Sequence, residues 1–123
     1  MIYGEVNQDR EALLDIVVVG ADGYELPLQV IVDTGFSAFL TLPRSLIGRL
    51  GLSPYSTESI RLGDGSIVNA TTYRALARVL HDSNPIIVQH SEGDILGGMA
   101  LFDGMLITVE AVIGGQVTIS PLE

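Results

Sequence analysis

An acidic residue directly follows an apolar, strand-like segment, where an isolated carboxylate would be costly to bury. Residues 30–32 are Val, Ile and Val, and Asp33, Thr34 and Gly35 come next. A buried carboxylate must be paired or hydrogen-bonded. Thr34 supplies a hydroxyl on a stiff side chain, and Gly35 lets the backbone turn sharply and come close to another group. The pattern indicates a loop that presents a carboxylate for chemistry.

Two such carboxylates together could hydrolyse a peptide bond. When they lie about 3 Å apart they cannot both ionise, so they share one proton and titrate as a unit. One carboxylate acts as general base on a water molecule, while the other, protonated, polarises the scissile carbonyl. Asp-Thr-Gly occurs once in the sequence. A two-carboxylate site therefore predicts a homodimer in which the two copies of Asp33 meet on a two-fold axis.

The elements around this loop are predicted to be mostly short strands. Strand-like runs alternate with turn residues, and the Asp22-Gly23 pair predicts a hairpin that leads into the strand before Asp33. Many short strands at close spacing predict a mainly β domain closed on itself. The length of the chain fits one domain, residues 1–123. Further hairpins are predicted around residues 63–66, 81–84 and 114–115.

One short helix is predicted after the Asp33 loop. Apolar residues recur at helical spacing in residues 46–50. Pro43 suits the first turn of this helix, and Gly51 fits just past its end. A second, shorter helical turn is predicted at residues 99–103, closed by Gly104.

The order of these motifs resembles that of the retropepsin-like aspartic proteases, most closely their small prokaryotic single-domain members. The likeness spans residues 13–120, and the ordered set is a more specific signal than Asp-Thr-Gly alone. The resemblance implies a closed β-barrel of the acid protease fold, with one short helix after the catalytic loop and a short C-terminal helical turn. The matching motifs are Asp33-Thr34-Gly35-Phe36, residues 39–43, Leu50-Gly51-Leu52, Ile95-Leu96-Gly97-Gly98-Met99 and Leu101-Phe102.

The same resemblance implies an aspartic endopeptidase that acts as a homodimer on an extended peptide or protein substrate, with water and no cofactor. Asp33 would be the catalytic acid, one from each subunit. Thr34 would hydrogen-bond across the dimer axis, and the Gly35 amide would orient the carboxylate. Gly97 would lie in the loop beside the catalytic strand, where no side chain fits. The tip of a flap hairpin that closes over the substrate would consist of Gly63, Asp64, Gly65 and Ser66.

The chain departs from the family pattern after the glycine. Many aspartic proteases carry a small or hydroxyl residue there, and its hydroxyl can bond the carboxylate. This chain has Phe36 at that position and Ser37 one place later, which leaves the pH optimum open. The family's terminal dimer sheet could form from residues 1–6, from residues 117–122 or from both.

Other interpretations of the same residues stay open. Asp, Thr and Gly are common in turns, so residues 33–35 could form an ordinary turn, and residues 63–66 a plain surface hairpin. A retropepsin-like dimer could also bind peptides or assemble a larger complex without catalysis, although such a module gains nothing from facing carboxylates. A small structural β-barrel with an incidental turn motif would instead be a stable monomer.

Charge and composition argue against several other classes. Six Arg, no Lys and 15 acidic residues give a net charge of −9, so nucleic acid is not an expected partner. The longest apolar runs are about five residues, short of the roughly 20 needed to cross a bilayer, and the N-terminus lacks a signal-peptide pattern. We therefore expect a cytoplasmic protein without membrane contact. With no Cys, and with His81 and His90 nine residues apart, no metal site is expected.

Overall fold

The computed structural model describes residues 1–123 and contains ten β-strands and one α-helix. A short 3-10 turn, Ala21–Gly23, joins the second and third strands. The elements in chain order are β1 (Ile2–Val6), β2 (Ala12–Val19), β3 (Glu25–Val32), β4 (Leu40–Leu42), α1 (Arg44–Leu50), β5 (Pro54–Arg61), β6 (Ile67–Arg78), β7 (Ser83–His90), β8 (Leu96–Gly97), β9 (Met105–Val109) and β10 (Gln116–Pro121).

All ten strands belong to one sheet, which curls back on itself. The strand order is β5-β6-β7-β4-β8-β3-β2-β1-β10-β9, and β6 pairs in addition with β2. The prediction of a mainly β chain is confirmed. The closed barrel stays a prediction, because β5 and β9 each keep one unpaired edge.

The β2–β3 hairpin shows why these residues form strands. Alternate side chains of the two strands are buried, and Leu14 lies opposite Val30 in the register. Because side chains alternate between the two faces of a strand, this pattern turns one face toward the core. Burying each such side chain stabilises the fold by about 1.5–3 kcal/mol. The hairpin predicted from Asp22-Gly23 is present, and both residues have positive φ.

Helix α1 packs its apolar side onto the sheet and ends at a glycine. Ile47 and Leu50 are buried, and Gly51 takes the left-handed conformation with φ 66°. Glycine adopts this conformation more readily than other residues, so Gly51 ends the helix as predicted. Pro43 lies one position before the helix. This seven-residue helix is neither long nor apolar enough to cross a membrane, and it is the chain's only α-helix.

The predicted C-terminal helical turn at residues 99–103 is a series of tight turns without a helix. Its backbone bonds join residues three apart, from Leu101 N to Gly98 O at 3.0 Å and from Met105 N to Phe102 O at 3.0 Å. Gly104, with φ 78°, reverses the chain before a helix can continue. The last predicted hairpin is present as β9 and β10. Strand β10 lies between β9 and the N-terminal strand β1.

Candidate active site

Asp33 directly follows β3, at the point where β3 pairs with a second strand. Strand β3 pairs with β2 along its length, and its last two residues also pair in parallel with β8. The Asp33 amide donates to the carbonyl oxygen of Gly97 at 2.9 Å. The backbone that carries the carboxylate is therefore held from both sides.

The Asp33 carboxylate is oriented by its own loop. The Gly35 amide donates to Asp33 Oδ1 at 2.9 Å, and the Phe36 amide donates to the Asp33 carbonyl at 3.1 Å. Asp33 is half-buried, whereas Thr34 and Gly35 are exposed. One carboxylate oxygen is thus fixed, while the loop faces outward, where another molecule can reach it.

A second chain segment locks this loop from behind. Strand β8 is inserted between β3 and β4, since Gly97 also pairs antiparallel with Leu40. The amides of residues 98–100 donate three further backbone hydrogen bonds of 2.8–3.2 Å to carbonyl oxygens within residues 36–39. We call residues 33–39 together with residues 97–100 the Asp33 block. Its bonds lie mostly between main-chain groups, which makes it a rigid support for the carboxylate.

Two adjacent glycines make this close contact possible. A Cβ at Gly97 would lie 3.0 Å from a Leu101 methyl and 3.1 Å from the Phe102 ring. A Cβ at Gly98 would lie only 2.2 Å from the carbonyl oxygen of Ala38. Gly97 was predicted to be the position with no room for a side chain. The structure leaves less room at Gly98 than at Gly97. The Gly97-Gly98 pair in the sequence was the signal for both.

Thr41 is a positioning residue that sequence reasoning missed. It is buried in β4, its hydroxyl donates to the Asp94 carbonyl at 3.0 Å, and its oxygen accepts from the Leu96 amide at 2.9 Å. A hydroxyl that satisfies both a donor and an acceptor fixes the entry to β8. The signal in the sequence was one hydroxyl residue between two buried leucines, Leu40 and Leu42.

The residues after Gly35 do not add a hydroxyl to the carboxylate. Phe36 is half-buried against the glycine pair, with its ring where a side chain at Gly98 would be. Ser37 is exposed, and its hydroxyl forms no hydrogen bond to Asp33. The Gly35 amide is therefore the only donor that the folded chain supplies to the Asp33 carboxylate.

Strands β5 and β6 form a long hairpin whose tip is residues 62–66. All five tip residues are exposed. Asp64 Oδ1 accepts from the Ser66 hydroxyl at 2.6 Å and from the Ser66 amide at 2.9 Å. These bonds, the hydroxyl first, hold the pKa of Asp64 below its usual value. Gly65 has φ 88°, which allows the sharp reversal. No hydrogen bond joins this tip to Asp33 within the single chain.

His90, one of the two histidines, is engaged by a carboxylate. His90 pairs with the Glu92 carboxylate, which also accepts from the Arg44 amide at 2.7 Å. The bond from the Arg44 amide and then that from His90 hold the pKa of Glu92 below its usual value. Glu92 thus caps the first turn of α1, whose preceding residue Pro43 offers no side-chain cap.

A large groove lies at the base of the β5–β6 hairpin. It has a volume of about 820 Å³ and is lined mostly by apolar residues, among them Phe39, Leu52 and Ile86. At its side the Arg74 guanidinium lies 4.1 Å from the centre of the Tyr55 ring. Asp33 does not line this groove.

Comparison with known proteins identifies the fold. No family model matches the chain, and no curated protein matches it. Among solved structures, it is similar to a retropepsin-like aspartic protease from Rickettsia conorii, with 14% sequence identity and a TM-score of 0.62. The match covers 97% of this chain and 90% of that chain. At this identity the likeness concerns the fold, and the predicted retropepsin-like fold is supported at that level.

Proposed function

We propose that this protein is an aspartic endopeptidase of the retropepsin type, active as a homodimer with one Asp33 from each copy. The single observation that carries the proposal is the placement of Asp33. Its carboxylate lies at the end of a core strand, bonded by the Gly35 amide, in a loop fixed by the Gly97–Ala100 segment. An incidental turn after a strand does not need a second segment inserted to hold it.

The chemistry follows from two such carboxylates on a two-fold axis. At about 3 Å they share a proton, so one activates water while the other donates a hydrogen bond to the scissile carbonyl. The proton is then passed to the leaving amine, and the two carboxylates exchange roles. The exposed Thr34 and Gly35 are the parts of the loop that would approach the second copy.

In this proposal the β5–β6 hairpin acts as the flap. Its tip, with Gly63, Asp64, Gly65 and Ser66, is exposed and makes its side-chain hydrogen bonds within itself. An extended peptide under such a hairpin would be bound by main-chain hydrogen bonds, as an added strand. Closure of the hairpin would exclude water other than the attacking molecule.

Replacement of the carboxylate by an amide tests the proposal directly. We expect Asp33→Asn to abolish hydrolysis of a peptide library between mildly acidic and neutral pH while preserving the circular dichroism spectrum. The matched control is Asp94→Asn, which removes the same charge from an exposed side chain while leaving the Asp94 carbonyl that Thr41 bonds. Cleavage by Asp33→Asn at the wild-type rate would exclude Asp33 as the catalyst.

A second candidate is a non-catalytic dimer that binds extended peptides. The observation that favours it is the lack of a hydroxyl partner for the carboxylate, since Phe36 occupies the position after Gly35. This candidate predicts that wild type and Asp33→Asn bind peptides equally and that neither cleaves them. Fluorescence anisotropy with a labelled peptide, read beside the cleavage assay, separates the two functions.

A further inference from the structure

The two free edges of the sheet have opposite character. The β5 edge begins with Pro54, shifts its register between Pro54 and Ser56, and carries Glu58 and Arg61. Proline, bulges and charges are features that keep an edge strand from pairing with another chain. The β9 edge, Met-Leu-Ile-Thr-Val, has none of them. Of the two edges, only β9 is therefore ready to accept a further strand.

The direction of the backbone groups in β9 follows from the hydrogen bonds at its two ends. At one end the Leu122 amide donates to Gly104 O at 3.0 Å, and at the other the Glu110 amide donates to Gln116 O at 2.9 Å. Hydrogen-bonded pairs alternate along an antiparallel ladder. The even-numbered residues of β9 therefore bond to β10, and the odd-numbered ones turn their backbone groups outward.

These outward groups form a row of free donors and acceptors. The amides and carbonyls of Ile107 and Val109 point away from β10, as does the Met105 carbonyl. The Met105 amide donates to the Phe102 carbonyl oxygen in the preceding turn and is therefore not available. A strand that paired antiparallel here would find both donors and acceptors in place.

Apolar side chains are concentrated around the same edge. Of the 14 exposed large hydrophobic residues in the chain, four lie on β9 or in the turn that joins it to β10. Exposed apolar groups gathered in one region mark an interaction surface. They are Leu106, Val109, Val112 and Ile113.

The β9 edge carries no charge that would oppose a second copy of this chain. Each copy carries a net charge of −9, so two copies repel each other in general. Residues 104–109 contain no charged side chain, whereas the β5 edge carries Glu58 and Arg61. Two acidic copies can therefore approach along β9 without added repulsion from the edge itself.

We propose that the homodimer forms by antiparallel pairing of β9 with β9 of a second copy, centred on Ile107. The two copies of Ile107 would exchange N–H···O=C bonds, and the Val109 amide of each copy would donate to the Met105 carbonyl of the other. The inference rests on the proposed function, which needs a second Asp33. It places the dimer contact on an internal strand, because the terminal strand β10 is already flanked by β1 and β9.

The β9 edge is connected to the Asp33 block through one aromatic residue. The Phe102 ring lies against Gly97, whose carbonyl accepts from the Asp33 amide. The Phe102 carbonyl in turn accepts from the amide of Met105, the first residue of β9. Pairing of two β9 edges would thus fix the position of the turn that packs on the Asp33 loop.

Two charge-matched variants test the interface. Val109→Lys adds one positive charge on the proposed edge, and Leu122→Lys adds the same charge on an equally apolar, exposed residue beyond it. By sedimentation velocity we expect wild type and Leu122→Lys to have twice the 13.1-kDa chain mass. Val109→Lys should dimerise at least about tenfold more weakly, with an unchanged circular dichroism spectrum. Equal dimerisation of Val109→Lys and wild type, or loss of the dimer in Leu122→Lys alone, would overturn the inference.

Amide hydrogen exchange of the wild type gives a readout that does not depend on any variant folding. The Ile107 and Val109 amides should exchange quickly in dilute protein and become protected at concentrations where the dimer forms. Fast exchange of both amides in a sample shown to be dimeric would overturn the inference, as would a wild type that stays monomeric at every concentration. If Asp33→Asn loses peptide hydrolysis but Val109→Lys dimerises as well as the wild type, the β9 interface is rejected and the proposed function stands.

Discussion

The Asp33 block and the β5–β6 hairpin are the two regions that the proposed reaction would bring together, and they are built in opposite ways. The block is held by backbone hydrogen bonds between residues 33–39 and residues 97–100, around glycines with no room for a side chain. The tip of the hairpin is exposed and is held mainly by hydrogen bonds within its own five residues, two between backbone groups and two from Ser66 to Asp64. A reacting group needs a fixed position, whereas a cover over a substrate must open.

This comparison predicts that the block tolerates almost no change of volume. In Gly98→Ala the new methyl group would lie 2.2 Å from Ala38 O, so the backbone must move. We expect the free energy of unfolding to fall by about 3 kcal/mol, the upper end of the usual cost of overpacking, and any peptidase activity to be lost as well. Urea denaturation followed by circular dichroism measures the loss.

Gly48→Ala is the matched control for that substitution. Gly48 lies in α1, and no neighbouring atom comes within 4 Å of the position that the alanine methyl group would take. Alanine is the better helix former, so this variant should gain up to about 1 kcal/mol. A Gly98→Ala variant as stable as Gly48→Ala would show that the block is looser than its geometry indicates.

The second prediction concerns the hydroxyl that holds the entry to β8. Thr41→Val keeps the shape of the side chain but leaves the Leu96 amide and the Asp94 carbonyl without their partner. We expect a loss of about 1–3 kcal/mol in thermal or urea unfolding. Thr41→Ser retains the hydroxyl, so it should recover the part of the unfolding free energy that is due to hydrogen bonding. Equal losses in the two variants would assign the effect to packing alone.

The smallest effect is expected at the tip of the hairpin. Ser66→Ala removes the hydroxyl that contributes most to lowering the pKa of Asp64. A carboxylate with a lowered pKa stabilises its fold above its ordinary value of 3.8, and this contribution disappears as the pH falls through the folded value. The variant should therefore show less order at the tip near neutral pH and little difference in strong acid.

Amide exchange at residues 62–66, measured near pH 7 and near pH 2, checks that dependence on pH. Under the proposed function, Ser66→Ala should also raise KM more than it lowers kcat, because the tip would contact substrate without taking part in bond cleavage. Identical exchange of variant and wild type at both pH values would contradict the assigned role of the Ser66 hydroxyl.

Much of the local structure could be predicted from sequence. The Asp22-Gly23 hairpin, the end of α1 at Gly51 and the β9–β10 hairpin were predicted and are present. Local turn chemistry and apolar periodicity determine these features. The helical turn predicted at residues 99–103 is a series of hydrogen-bonded turns that Gly104 ends, because apolar spacing over so few residues cannot distinguish a helix from successive turns.

The parts of the candidate site that the prediction missed depend on contacts between distant segments. The glycine pair at Gly98 and the hydroxyl at Thr41 are visible in the sequence, but the groups that these residues contact appear only when β8 is inserted between β3 and β4. The terminal strands also depend on a distant contact. Neither residues 1–6 nor residues 117–122 show in their own sequence that the two segments pair with each other, so the sequence could not tell which of them was available for a dimer sheet.

Neighbouring residues in the chain specify that an aspartate follows a core strand and that short strands and tight turns surround it. Contacts between distant segments specify which segment supports Asp33, that β10 is enclosed, and that β9 keeps a free edge. Backbone groups are chemically alike in every residue, so local patterns specify which faces are apolar and leave the choice of distant pairing partners to the packing of the whole chain.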